Sequence, residues 1–397
     1  MKRTLLLAFA LLFLFGAEIL RVYFIMPFPG SQRANTVELA YFVHKYIWSF
    51  RILGWMLLFA FALNFFRHAK LWKKITLSFF IFLYAVVFYL FNFRFLADKM
   101  FYMPKNKILV TAGQNKIDSS KLIIGINLHG QARAYPIGLI AYHHQVEDTV
   151  GGENVLVTYC SVCRTGRVFS PFVNGRLQRF RLVGMDHFNA MFEDEGTRSW
   201  WRQATGVAVT GPLKGTVLKE LPSQQLRLGA WIRNYPNTLV MQPDSLFTKQ
   251  YKDLEGFDEG NVKSSLERRD LASWKFKSWV LGVQMGIHSR AYDWNELLKV
   301  RVINDTIAGK PVVIFLENDQ VSFHVFQRAY FTGILHFEMD GSGNYMRESQ
   351  SNTIWSPSGI CLKGIYKDQK LLPLPAYQEF WHSWKEFHPL TTVYGGK

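Results

Sequence analysis

Cysteine is scarce in this chain of 397 residues, which contains only Cys160, Cys163 and Cys361. A complete zinc ribbon needs two cysteine pairs, so the single pair at Cys-x-x-Cys spacing excludes that class. The sequence also lacks a Gly-rich phosphate loop, a Ser-His-Asp order and a His-Glu-x-x-His pattern. It therefore gives no signal for a nucleotide-binding P-loop, a serine hydrolase or a zinc protease.

Acidic residues are almost missing from the first 97 positions, which hold 11 Lys and Arg against two Asp and Glu. Apolar runs dominate this segment, over residues 5–25, 52–66 and 75–93. A membrane-spanning helix needs roughly 20 apolar residues, so we predict three spans, the second starting near Tyr46. Arg51 would then lie inside the second span, and we expect its side chain to extend to the membrane interface.

The loop "RHAKLWKK", residues 67–74, is dense in positive charge, and Lys2 and Arg3 mark the N-terminus. By the positive-inside rule both are cytoplasmic. We therefore predict an inner (plasma) membrane protein with a cytoplasmic N-terminus and residues 98–397 outside the cytoplasm, in the periplasm. The first run resembles a cleaved signal peptide in its charge pattern, but apolar residues continue past a cleavage site, so we expect it to be retained.

Beyond residue 97 the chain has 35 Lys and Arg against 28 Asp and Glu, a modest excess for about 300 residues. The basic character is thus mostly a feature of the membrane segment and its attraction to anionic lipid. No basic helix or RNA-binding aromatic motif is present. We expect the lipid bilayer as a partner and no nucleic acid; the sequence does not identify a protein partner.

An internal repeat occupies the second part of the chain. "GINLHGQARAYP" (125–136) resembles "GVQMGIHSRAYD" (282–293), and the same offset of 157 residues aligns "EDTVGGENVLVTY" with "NDTIAGKPVVIFL". Further along, the offset changes to 153, and Leu221-Pro222 corresponds to Leu374-Pro375. Self-similarity of this kind predicts a duplicated unit.

Each repeat has many short β-strand signals, including the buried runs "VLVTY" and "PVVIF" and a hairpin at Asn174-Gly175. The segments around Trp231 and Trp384 are predicted as short helices. We therefore predict an α+β fold, with three transmembrane helices followed by a β-rich extracytoplasmic region of two related tandem units. The predicted boundaries are 1–97 for the membrane domain, 98–243 for the first unit, 244–278 for a charged linker and 279–397 for the second unit.

The Cys160–Cys163 pair is predicted to lie in a tight turn between two strands. Arg-Thr-Gly-Arg after Cys163 is a poor helix start, which disfavours a thioredoxin-like site. A metal knuckle would need further ligands, and His143 and His187 are the candidates, with copper or zinc as the suited metals. The alternatives of a structural disulfide or two buried thiols remain open.

The second unit has lost this set of residues. We assign Leu316 and Asp319 to the cysteine positions, and Val300 and Arg301 to those of His143 and His144. The first unit would then contain the reactive Cys and His residues, and the second unit would have a structural role only.

A second polar segment, residues 184–206, is a candidate pocket lining. Its candidate residues are Asp186, Asn189, Asp194, Ser199, Trp201 and Gln203. A purely structural polar hairpin would have the same composition.

These residues resemble the bacterial family called domain of unknown function 3179. The family pattern has a His before an Asn-Asp, then Cys-Pro-x-Cys, a Ser-x-Trp-x-Gln element and a Trp before a Pro. Here these fall on His143, Glu147-Asp148, Cys160 with Cys163, Ser199 with Trp201 and Gln203, and Trp231 with Pro236. Ser161 replaces the Pro, Glu147 the Asn, and Arg164 a small residue or Gly. The resemblance implies where a site lies and no activity.

Two functions follow as expectations. The first is a membrane-anchored extracytoplasmic protein with a thiol-based site, for metal handling or redox, on Cys160, Cys163, His143 and His187. The second is a non-enzymatic envelope binding or scaffold module in which the cysteine pair is a disulfide. The sequence does not decide whether the protein is an enzyme.

Overall fold

The computed structural model describes residues 2–331 and 333–396 of the chain. Its α-helices are α1 (Lys2–Tyr23), α2 (Val37–Lys45), α3 (Ile47–His68), α4 (Leu71–Phe93), α5 (Ala97–Met100), α6 (Ile137–His143), α7 (Leu228–Asn234), α8 (Thr248–Asp253), α9 (Trp294–Val300) and α10 (Trp381–Phe387).

The strands up to residue 241 are β1 (Leu109–Thr111), β2 (Leu122–Leu128), β3 (Gln131–Pro136), β4 (Gln145–Val150), β5 (Glu153–Cys160), β6 (Thr165–Phe169), β7 (Phe172–Val173), β8 (Arg176–Leu177), β9 (Phe180–Asp186), β10 (Asn189–Asp194), β11 (Trp200–Arg202), β12 (Ala208–Thr210), β13 (Gln224–Arg227) and β14 (Leu239–Met241). The later strands are β15 (Trp279–Met285), β16 (His288–Asp293), β17 (Val302–Ile307), β18 (Lys310–Leu316), β19 (Phe323–Gln327), β20 (Ala329–Tyr330), β21 (Gly333–Ile334), β22 (Phe337–Met339), β23 (Met346–Glu348), β24 (Ile354–Trp355), β25 (Cys361–Lys363), β26 (Ala376–Phe380) and β27 (Thr392–Val393).

The chain forms two compact units. The first, the anchor unit, contains residues up to Tyr102 together with Arg176–Arg202 and Val207–Val217. The second, the β unit, contains Met103–Gly175, Gln203–Gly206 and the chain from Leu218 onward. The fold class is mixed helix and strand, with apolar helices at the N-terminus and a β-rich remainder, as the sequence predicts.

Three helices of the anchor unit are long and apolar enough to cross a membrane, over Thr4–Tyr23, Ile47–His68 and Leu71–Phe93. They coincide with the predicted spans, and their length and composition suggest a membrane anchor. The second helix starts at Ile47, close to the predicted start at Tyr46.

The expectation that Arg51 extends to the membrane interface is wrong. Arg51 is only 5% exposed and pairs with Glu18 of α1. A buried guanidinium needs hydrogen-bond partners, and a carboxylate on the neighbouring helix supplies them.

The anchor unit also contains a sheet in the order β12-β11-β10-β9. The amide N–H of Met185 in β9 donates to the carbonyl of Ile25, just after α1, at 2.8 Å. Gly184 permits this approach, because a Cβ there would lie 2.3 Å from the Ile25 carbonyl oxygen. The strands of this sheet therefore belong structurally with the chain that follows the first span.

The β unit contains one sheet in the order β1-β14-β3-β2-β13 and another in the order β26-β15-β16-β27. Beside them lie the antiparallel sheets β4-β5-β6 and β17-β18-β19. The predicted strands "VLVTY" and "PVVIF" are confirmed as parts of β5 and β18. The predicted helices at Trp231 and Trp384 are confirmed as α7 and α10.

Glycines let these two helices pack onto their sheets. A Cβ at Gly125 in β2 would lie 2.4 Å from the indole of Trp231. A Cβ at Gly282 in β15 would lie 2.2 Å from that of Trp384. Both distances are too short for any side chain, so each strand needs glycine where the buried Trp ring crosses it.

Candidate functional site

The cysteine pair lies at a turn between β5 and β6, as predicted. Cys160 ends β5 and is paired with Thr165 at the start of β6. The turn closes at Arg164, whose φ is +56°. This left-handed conformation costs glycine nothing and strains other residues, so glycine is the residue best suited to this position.

Residues from the later part of the chain, between Lys277 and Ser383, enclose this turn. The amide N–H of Phe380 donates to the carbonyl of Cys163 at 3.0 Å. The ammonium of Lys277 donates to the carbonyl of Val162, which His382 Nε2 also approaches at 3.3 Å. The Cys163 thiol lies within hydrogen-bonding reach of the Cys160 thiol and the Ser383 hydroxyl. The pair is thus fully buried.

The environment keeps the Cys163 thiol protonated. Burial, together with the hydrogen bond that the Cys163 thiol donates to Cys160, raises the pKa of Cys163 well above its ordinary value. Burial also lowers the pKa of Lys277 to about 8 and, with Lys277 nearby, that of His382 to about 3.

All three cysteines are thiols, so the disulfide considered from the sequence is not formed here. Within residues 2–331 and 333–396, no group of three or more His, Cys, Asp or Glu side chains could hold a metal ion.

The structure places the two predicted histidine ligands in different units. His143 ends α6 in the β unit, and its Nε2 lies 2.7 Å from the Tyr251 hydroxyl. His187 belongs to the anchor unit, where its Nδ1 lies 2.6 Å from Asp186 Oδ1. Asp186 also accepts a hydrogen bond from Arg202 Nε at 3.0 Å. Each imidazole therefore has a hydrogen-bond partner within its own unit.

The other predicted pocket residues make structural hydrogen bonds. Asp194 accepts hydrogen bonds from the Ser199 amide at 3.1 Å and from the Trp201 indole at 2.9 Å, which closes the turn between β10 and β11. Asn189 is buried at the start of β10, opposite Asp186. Gln203 lies in the β unit and donates to the Thr158 hydroxyl and the Thr165 carbonyl, both at 3.0 Å, so it bridges β5 and β6.

The β unit also contains a pocket of about 430 Å³, which we call the Leu-Pro pocket. Two segments noticed in the repeat, Leu221-Pro222 and Leu374-Pro375, form part of its wall. Aromatic side chains line the rest, among them Trp231, Tyr235, Phe323, Phe326 and Tyr377. Ligand pockets in proteins fall in the same volume range and are mostly apolar with a few polar groups.

Two lining residues of this pocket, Glu220 and Tyr377, contact a buried guanidinium that is not itself part of the lining. Arg167 donates to Glu379 at 2.5 Å, lies 3.6 Å from Glu220 and has its guanidinium carbon 3.3 Å from the centre of the Tyr377 ring. The Tyr377 hydroxyl donates to Glu220 at 2.9 Å. Burial raises the pKa of Glu220 above its ordinary value, although Arg167 and Tyr377 oppose the shift.

A chain of hydrogen bonds and ion pairs connects the Cys163 thiol to the pocket. The Ser383 hydroxyl, within reach of Cys163, donates to Glu379 at 3.1 Å, and Glu379 pairs with Arg167. Glu220 follows and lines the pocket. Sequence reasoning missed Arg167, Glu220 and Glu379. The repeated Leu-Pro dipeptide, which directly follows Glu220, was the one signal near them.

Comparison with known proteins gives a family and nothing finer. A family model described as "Protein of unknown function (DUF3179)" matches residues 105–391. No curated protein and no solved structure matches the chain. Because the matched residues make up well over half of the sequence, the chain belongs to the DUF3179 family.

Proposed function

We propose that the protein is a membrane-anchored envelope binding module whose Leu-Pro pocket takes an organic cation with an apolar body. The observation that carries this proposal is the pocket itself, an aromatic-lined cavity of about 430 Å³ with a partly exposed carboxylate in its wall. It develops the second of the two functions that the sequence predicts.

The charge of Glu220 and of the ion pair it contacts favours a cation. Two carboxylates, Glu220 and Glu379, face one guanidinium, Arg167, so the cluster carries an excess negative charge when both are ionised. Glu379 is buried and its charge is neutralised by Arg167. Glu220 keeps 37% of its side chain exposed. An ammonium group in the pocket would pair with Glu220 in partly desolvated surroundings, where charge-assisted hydrogen bonds are strong.

The apolar walls favour a ligand with a hydrophobic body. Trp231, Phe323 and Phe326 contribute to the lining, and aromatic side chains attract cations as well as burying apolar area. Pro222 and Pro375 have no amide hydrogen to leave unsatisfied against such a body.

The two predicted tandem units support this location for the pocket. Gln145 pairs with Thr158 in the first half and Val302 with Phe315 in the second, so counterparts are separated by 157 residues in both strands. The counterparts of Cys160 and Cys163 are then Glu317 and Gln320, and the assignment of Leu316 and Asp319 is wrong by one residue. A duplication would place the two Leu-Pro segments at matching positions beside one cavity.

The orientation in the membrane is part of the same proposal. The basic loop between α3 and α4 supports a cytoplasmic N-terminus and an extracytoplasmic position for residues 98–397. The ligand would then come from the cell envelope.

The thiol-based site remains a prediction, with less support than the pocket. Copper and zinc bind thiolates, and the raised pKa of Cys163 opposes thiolate formation. The described parts of the chain offer no group of three ligands around the pair. For these reasons we place the cysteines in the packing behind the pocket wall.

Calorimetry on the full-length protein in lipid nanodiscs tests the binding proposal. The probe is phenethylamine, with 2-phenylethanol and 3-phenylpropanoate as neutral and anionic analogues. We expect the amine to bind best, and Glu220→Gln to weaken it at least about tenfold, because the amide still accepts from Tyr377 but carries no charge. Glu255→Gln, an exposed carboxylate of the same unit, is the matched control. Equal affinity for all three probes would contradict the proposal.

A further inference from the structure

Two arginines from different helices converge at one end of the helix bundle in the anchor unit. Arg21 lies near the end of α1, and Arg51 lies in the second turn of α3. Arg21 Nη1 donates to Asn92 Oδ1 at 2.5 Å, and Arg51 Nη2 donates to the same oxygen at 2.6 Å. Because both bonds end on one atom, the two donor nitrogens are separated by no more than the sum of these distances, about 5 Å. Two positive charges are thus held side by side.

A carboxylate neutralises only one of these two charges. Glu18 accepts two hydrogen bonds from Arg51, at 2.6 and 2.9 Å, and is completely buried. In the part of the chain that the structure describes, no Asp or Glu lies within salt-bridge distance of Arg21. The Asn92 amide offers Arg21 a dipole and no charge. The helix cluster formed by Glu18, Arg21, Arg51 and Asn92 therefore carries an excess positive charge.

Two further carboxylates of the anchor unit, Asp98 and Glu193, have cationic partners of their own. Asp98 lies 3.6 Å from Lys99 and 3.8 Å from Arg181. Glu193 lies 2.9 Å from Arg181 and 3.2 Å from Arg198. Three cations thus share two carboxylates, and these ion pairs leave no negative charge over for the helix cluster.

Exposed aromatic side chains mark the same end of the bundle. Trp48 in the first turn of α3 is 66% exposed, Tyr46 just before it 41%, and Tyr89 near the end of α4 52%. The Trp48 ring centre lies 4.7 Å from the guanidinium carbon of Arg51. Trp and Tyr concentrate where the hydrocarbon of a bilayer meets its headgroups. This pattern indicates that the arginine pair lies at the level of lipid phosphates.

The unmatched cation can be reached from this level, because Arg21 is partly exposed whereas Arg51 is buried. A guanidinium presents its N–H groups as a fork that fits two oxygens of a phosphate. We propose that Arg21 binds the phosphate of an anionic phospholipid, which supplies the missing negative charge. A zwitterionic phospholipid fits less well, because its own ammonium group balances the phosphate and brings another cation to the cluster.

Thermal unfolding of the full-length protein in a neutral detergent tests this inference. The probes are phosphatidylglycerol, phosphatidylcholine and inorganic phosphate at equal phosphate concentration. We expect phosphatidylglycerol to raise the melting temperature saturably by at least about 3 °C, and phosphatidylcholine by less than about a third of that, since a ligand of the folded state stabilises it by mass action. Inorganic phosphate should give no rise, because it lacks the acyl chains that hold a lipid against apolar helices. Native mass spectrometry should show phosphatidylglycerol retained on the chain.

Three variants locate the phosphate. Arg21→Gln should lose most of the phosphatidylglycerol shift, and Arg21→Lys should keep part of it, because an ammonium keeps the charge without the fork. Arg94→Gln, at an exposed arginine directly after α4, is the matched control and should keep the full shift. Without lipid, Arg21→Gln should melt no lower than the wild type, because removing one cation relieves its repulsion with Arg51.

A purely structural role for Arg21 predicts the opposite pair of results. Arg21→Gln would then melt lower without lipid and keep the full phosphatidylglycerol shift, and this outcome overturns the inference. Equal shifts with the two phospholipids also overturn it, as does a rise of the same size with inorganic phosphate, which would indicate a site for free anions. Equal losses in Arg21→Gln and Arg94→Gln would overturn it as well, because general attraction between anionic lipid and a basic surface would then explain the shift.

Discussion

The guanidinium of Arg51 donates two hydrogen bonds to the carboxylate of Glu18, at 2.6 and 2.9 Å, and so joins α3 to α1. The Tyr84 hydroxyl donates to the same carboxylate at 3.1 Å, and Asn92 donates to it at 3.1 Å, which adds α4 to the group. All three long apolar helices of the anchor unit therefore contribute to one buried ion pair and its hydrogen bonds.

Arg51→Leu should destabilise the helix bundle by about 3–5 kcal/mol, because it leaves the Glu18 carboxylate buried without its cation. The double variant Glu18→Leu/Arg51→Leu should recover much of this loss, since no charge then remains buried. Chemical unfolding in detergent micelles, followed by circular dichroism, measures both. Arg67→Leu, at an exposed position near the end of the same helix, is the control. A single variant as stable as the control would show that the pair contributes nothing.

Local sequence patterns predicted the elements of this fold well. The three spans, the strands around Val155 and Val312, the helices at Trp231 and Trp384 and the cysteine turn all depend on residues close together in sequence. Apolar length and periodicity determine such elements directly. The burial of Arg51 was missed because it depends on Glu18, 33 residues away in another helix.

For the same reason, local sequence patterns could not predict which residues surround the cysteine turn. Lys277 and Ser383 lie more than 100 residues from the cysteine turn that they enclose. Arg167 and Glu379 are 212 residues apart, and neither belongs to a recognised motif. Only pairing between distant segments brings such residues together, and one sequence contains no direct record of it. The cysteine motif identified the place correctly, but its chemistry depends on neighbours that the motif does not contain.

His388 should make the protein sensitive to acid. Its ring packs 3.8 Å from that of Trp384, and burial, with Arg167 nearby, lowers its pKa to about 3. The unfolded chain has an ordinary imidazole pKa of about 6.5, so it binds the proton more tightly than the folded protein does. The contribution to stability is fully present above about pH 6.5 and is lost progressively as the pH falls toward 3.

His388→Phe keeps an aromatic ring against Trp384 and removes this titration. We expect the slope of unfolding free energy against pH, between pH 6 and pH 4, to decrease by up to about one proton. Denaturant unfolding at a series of pH values measures the slope. His288→Gln changes an exposed histidine and is the control. An unchanged slope in His388→Phe would mean that other groups cause the acid sensitivity.

The orientation of the anchor is tested by reporter fusions. A fusion after Lys74 follows the second span, and a fusion after Lys107 follows the third. We expect the first reporter on the cytoplasmic side and the second outside, because the loop of residues 67–74 carries the dense positive charge. Replacing the lysines at 70, 73 and 74 by glutamine should weaken this preference. Both reporters on one side of the membrane would refute the three-span arrangement.

The two accounts of the cysteine pair differ in how the thiols react. Cys160 and Cys163 are fully buried, and burial raises the pKa of Cys163, so the reactive thiolate is both rare and shielded. We therefore expect maleimide to modify neither thiol in the folded protein and both after unfolding in denaturant. Elemental analysis of the purified full-length protein should find less than one zinc or copper per chain. Cys361, also buried, serves as the internal reference.

Rapid modification of Cys160 or Cys163 alone, or a stoichiometric metal that is lost in Cys163→Ala while the protein stays folded, would favour the thiol-based site over the binding module. Unreactive thiols that change only the melting temperature when replaced by alanine would instead mean that the pair serves as packing behind the Arg167–Glu379 ion pair, because a buried thiol behaves as a small apolar side chain.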